Sequence, residues 1–376
     1  MRTALCLCIL VMANALAAAQ QLPRHAELDF TAASLPSGTR PASPTHVVVT
    51  ALTPGTQAST HVRVGDLIDA IADKTISNLD DVDSALHVLR AGQKVPITVL
   101  RDGEIVHTEV TLRSAPYESL PGIDVLYRTV RVDGSLRRVI VTKPRGNGRF
   151  PAILLIGGLG CYSLDGWSKE DAPYGRLLYT LTQHGWVTMR VEKSGEGDSR
   201  APQCSSPEAD FNLEAAGYTA GLDALRRYDF VQADHVFVFA HSIGPLVATV
   251  VAQRSPVRGM IAAETTGRVW FDYELDIAGR QMLDLGDPYD EAERNTRELE
   301  VCLHDFYIEK QTPGKLLRDH PGCRGIFVPG VPYTYLQQVG DLNPAAAWKK
   351  WIFPSLSCTV PLTPLRARRK AVIWSI

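Results

Sequence analysis

Past its first residues the chain lacks any apolar run approaching the ~20 residues that a membrane-spanning helix needs. No span is therefore expected in the mature chain. Charge of one sign is also missing: 39 Lys and Arg against 41 Asp and Glu leave a formal net charge of -2, which makes no electrostatic case for nucleic acid. The one basic cluster, Arg366-Ala367-Arg368-Arg369-Lys370, is short and reads as a solvated tail. Cysteine is sparse, with seven in 376 residues. A histidine in the last stretch of chain is missing as well, because after residue 242 only His304 and His320 remain.

What is present at the N-terminus is a leader. Met1-Arg2, an apolar core from Ala4 to Leu16 and the small residues Ala17-Ala18-Ala19 have the three parts of a secretory signal peptide, with cleavage expected after Ala19. The apolar core is too short for an anchor and no basic stop signal follows. A periplasmic or secreted protein is the expectation. Removal of residues 1–19 takes Cys6 and Cys8 with it, and an oxidising compartment makes disulfides the default for the remaining five cysteines. Cys161 and Cys204 each follow a strand-end glycine loop and are expected to pair, as are Cys302 and Cys323, which flank one helical region. Cys358 is left over; sequence alone leaves the connectivity open, with free buried thiols as the alternative.

At 45% hydrophobic and 21% charged residues, the chain has room for two domains with cores. Residues 20–45, rich in Pro, Ser, Thr and Ala without a sustained period, read as a linker. Residues 46–114 form a β-rich unit. His46 to Leu52 is a strand ended by Thr53-Pro54-Gly55, Asp80 to Leu89 is a helix, and Val95 to Leu100 pairs with Ile105 to Leu112 across Arg101-Asp102-Gly103-Glu104. With Arg63-Val64-Gly65-Asp66-Leu67-Ile68 between them, these residues resemble a PDZ domain of the bacterial periplasmic type. The resemblance implies capture of an extended peptide at a sheet edge, from a peptide or envelope-protein partner, or a docking role without a peptide.

From residue 123 to 350 the pattern changes. A hairpin turns at Asp133-Gly134, and then short apolar runs, Ala152 to Ile156, Trp186 to Val191, Val236 to Phe239 and Met260 to Ala263, alternate with helix candidates at Tyr174 to His184 and Glu214 to Tyr228. Such alternation predicts an α/β fold with a parallel sheet covered on both faces. Directly behind Val236 to Phe239 comes Ala240-His241-Ser242-Ile243-Gly244, which reads as a nucleophile elbow: a serine on a tight strand-to-helix turn with small residues, Ala240 and Gly244, two positions away on each side. Gly157-Gly158-Leu159-Gly160 follows one strand, so that the N–H groups of Leu159 and Ile243 are the candidate oxyanion donors, with Gly158 allowing the turn. Gly195 and Gly197, in Glu192-Lys193-Ser194-Gly195-Glu196-Gly197-Asp198-Ser199, follow the next strand; a dinucleotide fingerprint would need a third glycine that is absent.

These motifs resemble an α/β-hydrolase. The whole chain thus resembles a secreted PDZ-containing α/β-hydrolase, with Ala240 a mild departure from the usual first glycine. The resemblance implies a serine hydrolase cleaving a small ester or peptide substrate through Ser242, without cofactor or metal. It also implies a helical cap at about 268–347, with Trp270, Phe271, Tyr273, Phe306 and Tyr307 lining a pocket or packing the cap's own core. His241, beside the nucleophile, is expected to point away. The triad acid and base are not identifiable. Glu264, behind the Met260 to Ala263 strand, is a possible acid, and His304 and His320 are weak candidates for the base. Residues 351–376 show neither strand nor helix period, so the last strands are expected to be missing. Read one frame over from codon 350, degenerate codons permit a buried strand ending in a Gly-x-x-Asp turn, which points to a frameshifted or truncated C-terminus. Without a base the serine is a weak nucleophile, and a non-catalytic periplasmic scaffold is the alternative function.

Overall fold

The computed structural model describes residues 22–35, 45–55, 61–167, 173–350 and 355–358. The expected leader at 1–19 and the basic cluster at 366–370 lie outside them. The chain divides into two compact units, residues 21–117 and the chain from residue 118 onward.

The strands of the first unit are β1 (Ala26–Glu27), β2 (Phe30–Ser34), β3 (Val47–Leu52), β4 (Leu67–Ile71), β5 (Lys74–Thr75), β6 (Lys94–Arg101), β7 (Glu104–Thr111) and β8 (Arg113–Ser114). β1 pairs with β8, and the larger sheet has the order β2-β3-β4-β6-β7, with β5 against β4. The helix α1 (Leu79–Val88) starts where it does because Asn78 and Asp81 form a capping box, each side chain accepting the other's backbone N–H. Asp102 and Gly103 both take positive φ, 52° and 85°, which is the twist that a two-residue hairpin between β6 and β7 requires. The aspartate of the Val-Gly-Asp-Leu-Ile stretch ties this hairpin down. Asp66, 2% exposed, accepts two hydrogen bonds from the Arg101 guanidinium at 2.8 and 2.7 Å.

Within the linker expected at 20–45, the described residues 22–35 carry strands instead. β2 runs antiparallel to β3 along that sheet's edge, and Leu28 and Phe30 are buried in the same core as Val47, Ile68, Ile97 and Val99. A strand of sequence Phe-Thr-Ala-Ala-Ser carries one large apolar residue, too little for its period to stand out from the polar composition around it.

The second unit is built on a seven-stranded sheet. Its strands are β9 (Ile123–Val132), β10 (Ser135–Pro144), β11 (Phe150–Ile156), β12 (Val187–Val191), β13 (Val231–His241), β14 (Gly259–Ala263) and β15 (Ser355–Cys358), in the order β15-β14-β13-β11-β12-β10-β9. β9 and β10 form the expected antiparallel hairpin, and from β12 to β15 the neighbours run parallel. The helices α2 (Pro173–Gln183), α3 (Phe211–Arg226) and α4 (Gly244–Arg254) connect the parallel strands. All five residues of β12 are buried, as befits a strand enclosed on both faces. α3 begins at Asp210, whose side chain accepts the Leu213 N–H at 2.8 Å.

Between β14 and β15 the chain inserts α5 (Trp270–Asp284), α6 (Tyr289–Leu303), α7 (Pro313–Asp319), α8 (Tyr333–Gly340) and α9 (Pro344–Lys349), with a π-helical turn at His304–Ile308. Both expected disulfides are present, Cys161–Cys204 and Cys302–Cys323. The region 351–376 also differs from its reading as a segment without strands. Ser355–Cys358 pairs parallel to β14, with Met260 opposite Ser355 and Ala263 opposite Cys358. Backbone pairing to an open edge needs no apolar period in the added strand, so the pattern carries no sign of it.

Candidate active site

β13 ends on His241 and α4 starts at Gly244, leaving Ser242 and Ile243 to make the turn. Ser242 has φ +61°, a left-handed conformation that costs a non-glycine residue of order 1–3 kcal/mol. Its N–H donates to the Ala263 carbonyl at 3.0 Å, so the neighbouring strand helps to hold the strained residue. The small flanks are required for different reasons. A Cβ on Gly244 would lie 2.5 Å from the Ile156 oxygen and 2.8 Å from the Gly157 oxygen, and neither backbone atom can give way. Ala240 is fully buried between Ile156 and Ala262 on the flanking strands, where one methyl fits.

The loop after β11 passes directly over the serine. A Cβ on Gly158 would meet Ser242 Cβ at 3.3 Å, His241 Nδ1 at 3.5 Å and Ser242 Oγ at 3.7 Å. The N–H of Leu159 follows in this loop, and that of Ile243 lies at the N-terminus of α4, where the helix dipole favours negative charge. The Gly158 carbonyl is held by two donors, Lys193 Nζ at 2.8 Å and the Tyr162 hydroxyl at 3.1 Å.

Lys193 comes from the loop after β12, the stretch that contains Gly195 and Gly197. Both glycines are structural here. Their φ values are +69° and +55°, and an added Cβ would sit 2.8 Å from Gln203 Cα in the first case and 2.5 Å from Glu192 Oε1 in the second. Glu192 is buried, which pushes its carboxyl up to about 8 even though the Leu164 N–H and the Ser163 hydroxyl donate to it. It fastens the continuation of the loop after β11 to β12. Cys161–Cys204 joins the loops after β11 and β12 a second time.

His241 does not simply point away. Its Nε2 lies 2.7 Å from Glu264 Oε2, and its Nδ1 is hydrogen-bonded to the Tyr174 hydroxyl. With the Glu264 carboxylate as acceptor, Nε2 carries the proton and Nδ1 accepts from Tyr174. Both ring nitrogens are thus engaged, and among the described residues no histidine is hydrogen-bonded to Ser242 Oγ. His304 and His320 lie 3.5 and 3.4 Å from Asp305 in the helical insertion.

Trp270, Phe306 and Tyr307 are buried in the insertion, and Phe271 and Tyr273 pack partly buried against the same core. Trp270 Nε1 and the Tyr307 hydroxyl donate to Glu274, whose carboxyl burial raises to about 7. A cavity of ≈ 610 Å³ in the insertion is lined by residues including Glu298, Cys302, His320 and Cys323, and by no residue of the Ala240-to-Gly244 turn or of the loop after β11. Lys193, Tyr162, Tyr174 and Glu214 are the site residues that sequence reasoning missed. The one signal was Glu214, a carboxylate within the otherwise apolar face of α3.

Residues 29–112 match the family model for the PDZ domain. Esterase EstD of Thermotoga maritima is 22% identical over 217 residues, which are 57% of this chain and 47% of that protein. The chain therefore spans about half the length of that curated relative. Among solved structures, the α/β hydrolase GrgF from Penicillium sp. sh18 aligns at 16% identity over 64% of this chain and 80% of its own, with a TM-score of 0.39. The esterase Est22 aligns at 13% identity over 41% of this chain and 50% of its own, with a TM-score of 0.33. The PDZ match falls within the first unit. The first unit thus carries the PDZ match, and the second is an α/β unit built on a mostly parallel seven-stranded sheet.

Proposed function

We propose that the chain is a serine hydrolase that cleaves a small ester, with amides as a second substrate class. The observation that carries this reading is Ser242 itself: a serine at φ +61° between strand and helix, beneath a glycine loop, at the carboxyl ends of a parallel sheet. Strain of this kind recurs at functional turns, and here it sits directly beneath the Gly158 loop. Ser242 Oγ forms a bond to the substrate carbonyl carbon, the carbonyl electron pair moves to oxygen, and the Leu159 and Ile243 N–H groups hold that oxyanion. Collapse expels the alcohol, and water releases the acid from the acyl-enzyme. The proton from Oγ needs an acceptor. His241 with Glu264 is the histidine–carboxylate pair at this end of the sheet, and its use requires Nδ1 to exchange the Tyr174 hydroxyl for Ser242.

A second reading rests on that same engagement of His241: a binding protein in which the hydrolase body is a scaffold. In either case the PDZ unit captures an extended peptide by adding it to a sheet edge. The two disulfides favour a periplasmic or secreted location. Hydrolysis of p-nitrophenyl acetate by the purified protein, beside its Ser242→Ala variant, separates the readings. Turnover that disappears in the variant is the expected result. A folded protein with no turnover, or turnover that survives in the variant, rejects the hydrolase and leaves the scaffold.

A further inference from the structure

We infer that Lys193 is a positioning residue for the oxyanion loop: by holding the Gly158 carbonyl it sets the direction of the Leu159 N–H. The inference rests on the hydrolase reading above and goes beyond it, to what fixes the hole before substrate arrives.

Gly158 C=O and Leu159 N–H belong to one peptide group. The group is planar and trans, so the two bonds point in opposite directions, and whatever pins the oxygen aims the hydrogen. The backbone of this stretch does not pin it. Glycines at 157, 158 and 160 leave this stretch free to rotate, and Gly160 already sits at φ +121°. A flip of this peptide would turn a carbonyl dipole toward the developing negative charge.

Two donors oppose the flip. The Tyr162 hydroxyl reaches the Gly158 oxygen from within the loop, lying so close over Gly157 that a Cβ there would be 2.5 Å from it. Lys193 reaches the same oxygen from the next strand's loop, at 2.8 Å, with its side chain 4% exposed. A buried ammonium is costly unless paired, and this one is paired: Glu214 Oε1 lies 2.8 Å away, and the Tyr162 ring is 5.0 Å from Nζ to its centroid. Behind it, the Tyr335 hydroxyl on α8 donates to the other Glu214 oxygen. A chain of hydrogen bonds thus runs from the inserted helices through α3 and the β12 loop to the peptide above Ser242. A buried ammonium needs acceptors beyond Glu214 for its remaining N–H groups; that the acceptor here is the Gly158 carbonyl, over Ser242, is what couples the pair to the direction of the Leu159 N–H.

The test uses the full-length protein. Lys193→Met alone would leave Glu214 buried without its partner and is prone to misfold, so the informative variant is the double change K193M/E214Q, accompanied by Tyr162→Phe. Far-UV circular dichroism and the melting temperature establish that each is folded. With p-nitrophenyl acetate, the double variant is expected to lose about 10²-fold in kcat with KM within about twofold, the size of effect seen when an oxyanion donor is removed; Tyr162→Phe should lose less. Labelling of Ser242 by a fluorophosphonate should slow in parallel. A merely structural pair would lower the melting temperature and leave kcat of the folded fraction alone. Wild-type turnover that a folded K193M/E214Q protein keeps within twofold overturns the positioning role and spares the hydrolase reading. Absence of Ser242-dependent turnover in the wild type overturns both.

Discussion

Gly244 and Gly158 both lie against Ser242 and are glycine for unlike reasons. At Gly244 the obstacle is backbone on a neighbouring strand, so a methyl group must push β11 away from α4. Gly244→Ala is expected to cost ~3 kcal/mol of stability, the upper range for overpacking a tight site, read as a lowered urea midpoint. At Gly158 the nearest atoms are the Ser242 side chain at 3.3 and 3.7 Å and His241 Nδ1 at 3.5 Å, contacts that relax by tenths of an ångström. Gly158→Ala should therefore melt within a few degrees of the wild type while kcat for p-nitrophenyl acetate falls roughly 10–100-fold, because its methyl occupies space beside the attacking oxygen. Equal effects of the two changes on stability would contradict this division.

The loop after β12 and the helix α5 each bury a carboxyl, Glu192 and Glu274, whose hydrogen bonds do not offset its desolvation, and burial raises the two to about 8 and about 7. The unfolded chain releases these protons near the ordinary glutamate value, about 4.5, before the folded protein does. Stability contributed by these groups is accordingly full below that value and is lost as pH rises toward 7 and 8, with a slope of at most ~1.4 kcal/mol per pH unit for each proton. Urea midpoints should fall between pH 5 and pH 8, and Glu192→Gln should flatten part of that fall; a midpoint that rises over the interval would refute the assignment. Most elements of this unit were legible in the sequence. Ala152 to Ile156, Val236 to Phe239 and Met260 to Ala263 are short apolar runs that, alternating with helix patterns, read as buried strands, and the small residues Ala240 and Gly244 marked the turn, though the backbone that demands Gly244 lies on β11. What could not be read depends on partners distant in sequence. β2 and β15 are strands because an edge was open beside them, and Lys193 matters because residue 214 lies behind it and residue 158 in front.

The two units have separate cores, and both disulfides fall in the second. Calorimetry of the full chain should show two transitions. Dithiothreitol should lower only the hydrolase transition, by an amount set by closed segments of 43 and 21 residues, for which chain entropy gives about 4 and about 3 kcal/mol. A saturating peptide with a free C-terminal carboxylate should raise only the PDZ transition. A single transition moved by both additions would mean that the units unfold as one.

Cys161 and Cys204 sit on the two loops that also carry Gly158 and Lys193, one pair of partners on each side of the same gap. The hydrogen bond closes that gap reversibly, whereas the disulfide closes it only where thiols oxidise. Reduction of Cys161–Cys204 therefore removes one of three ties between the two loops and leaves the Glu192 and Lys193 hydrogen bonds to keep them in register.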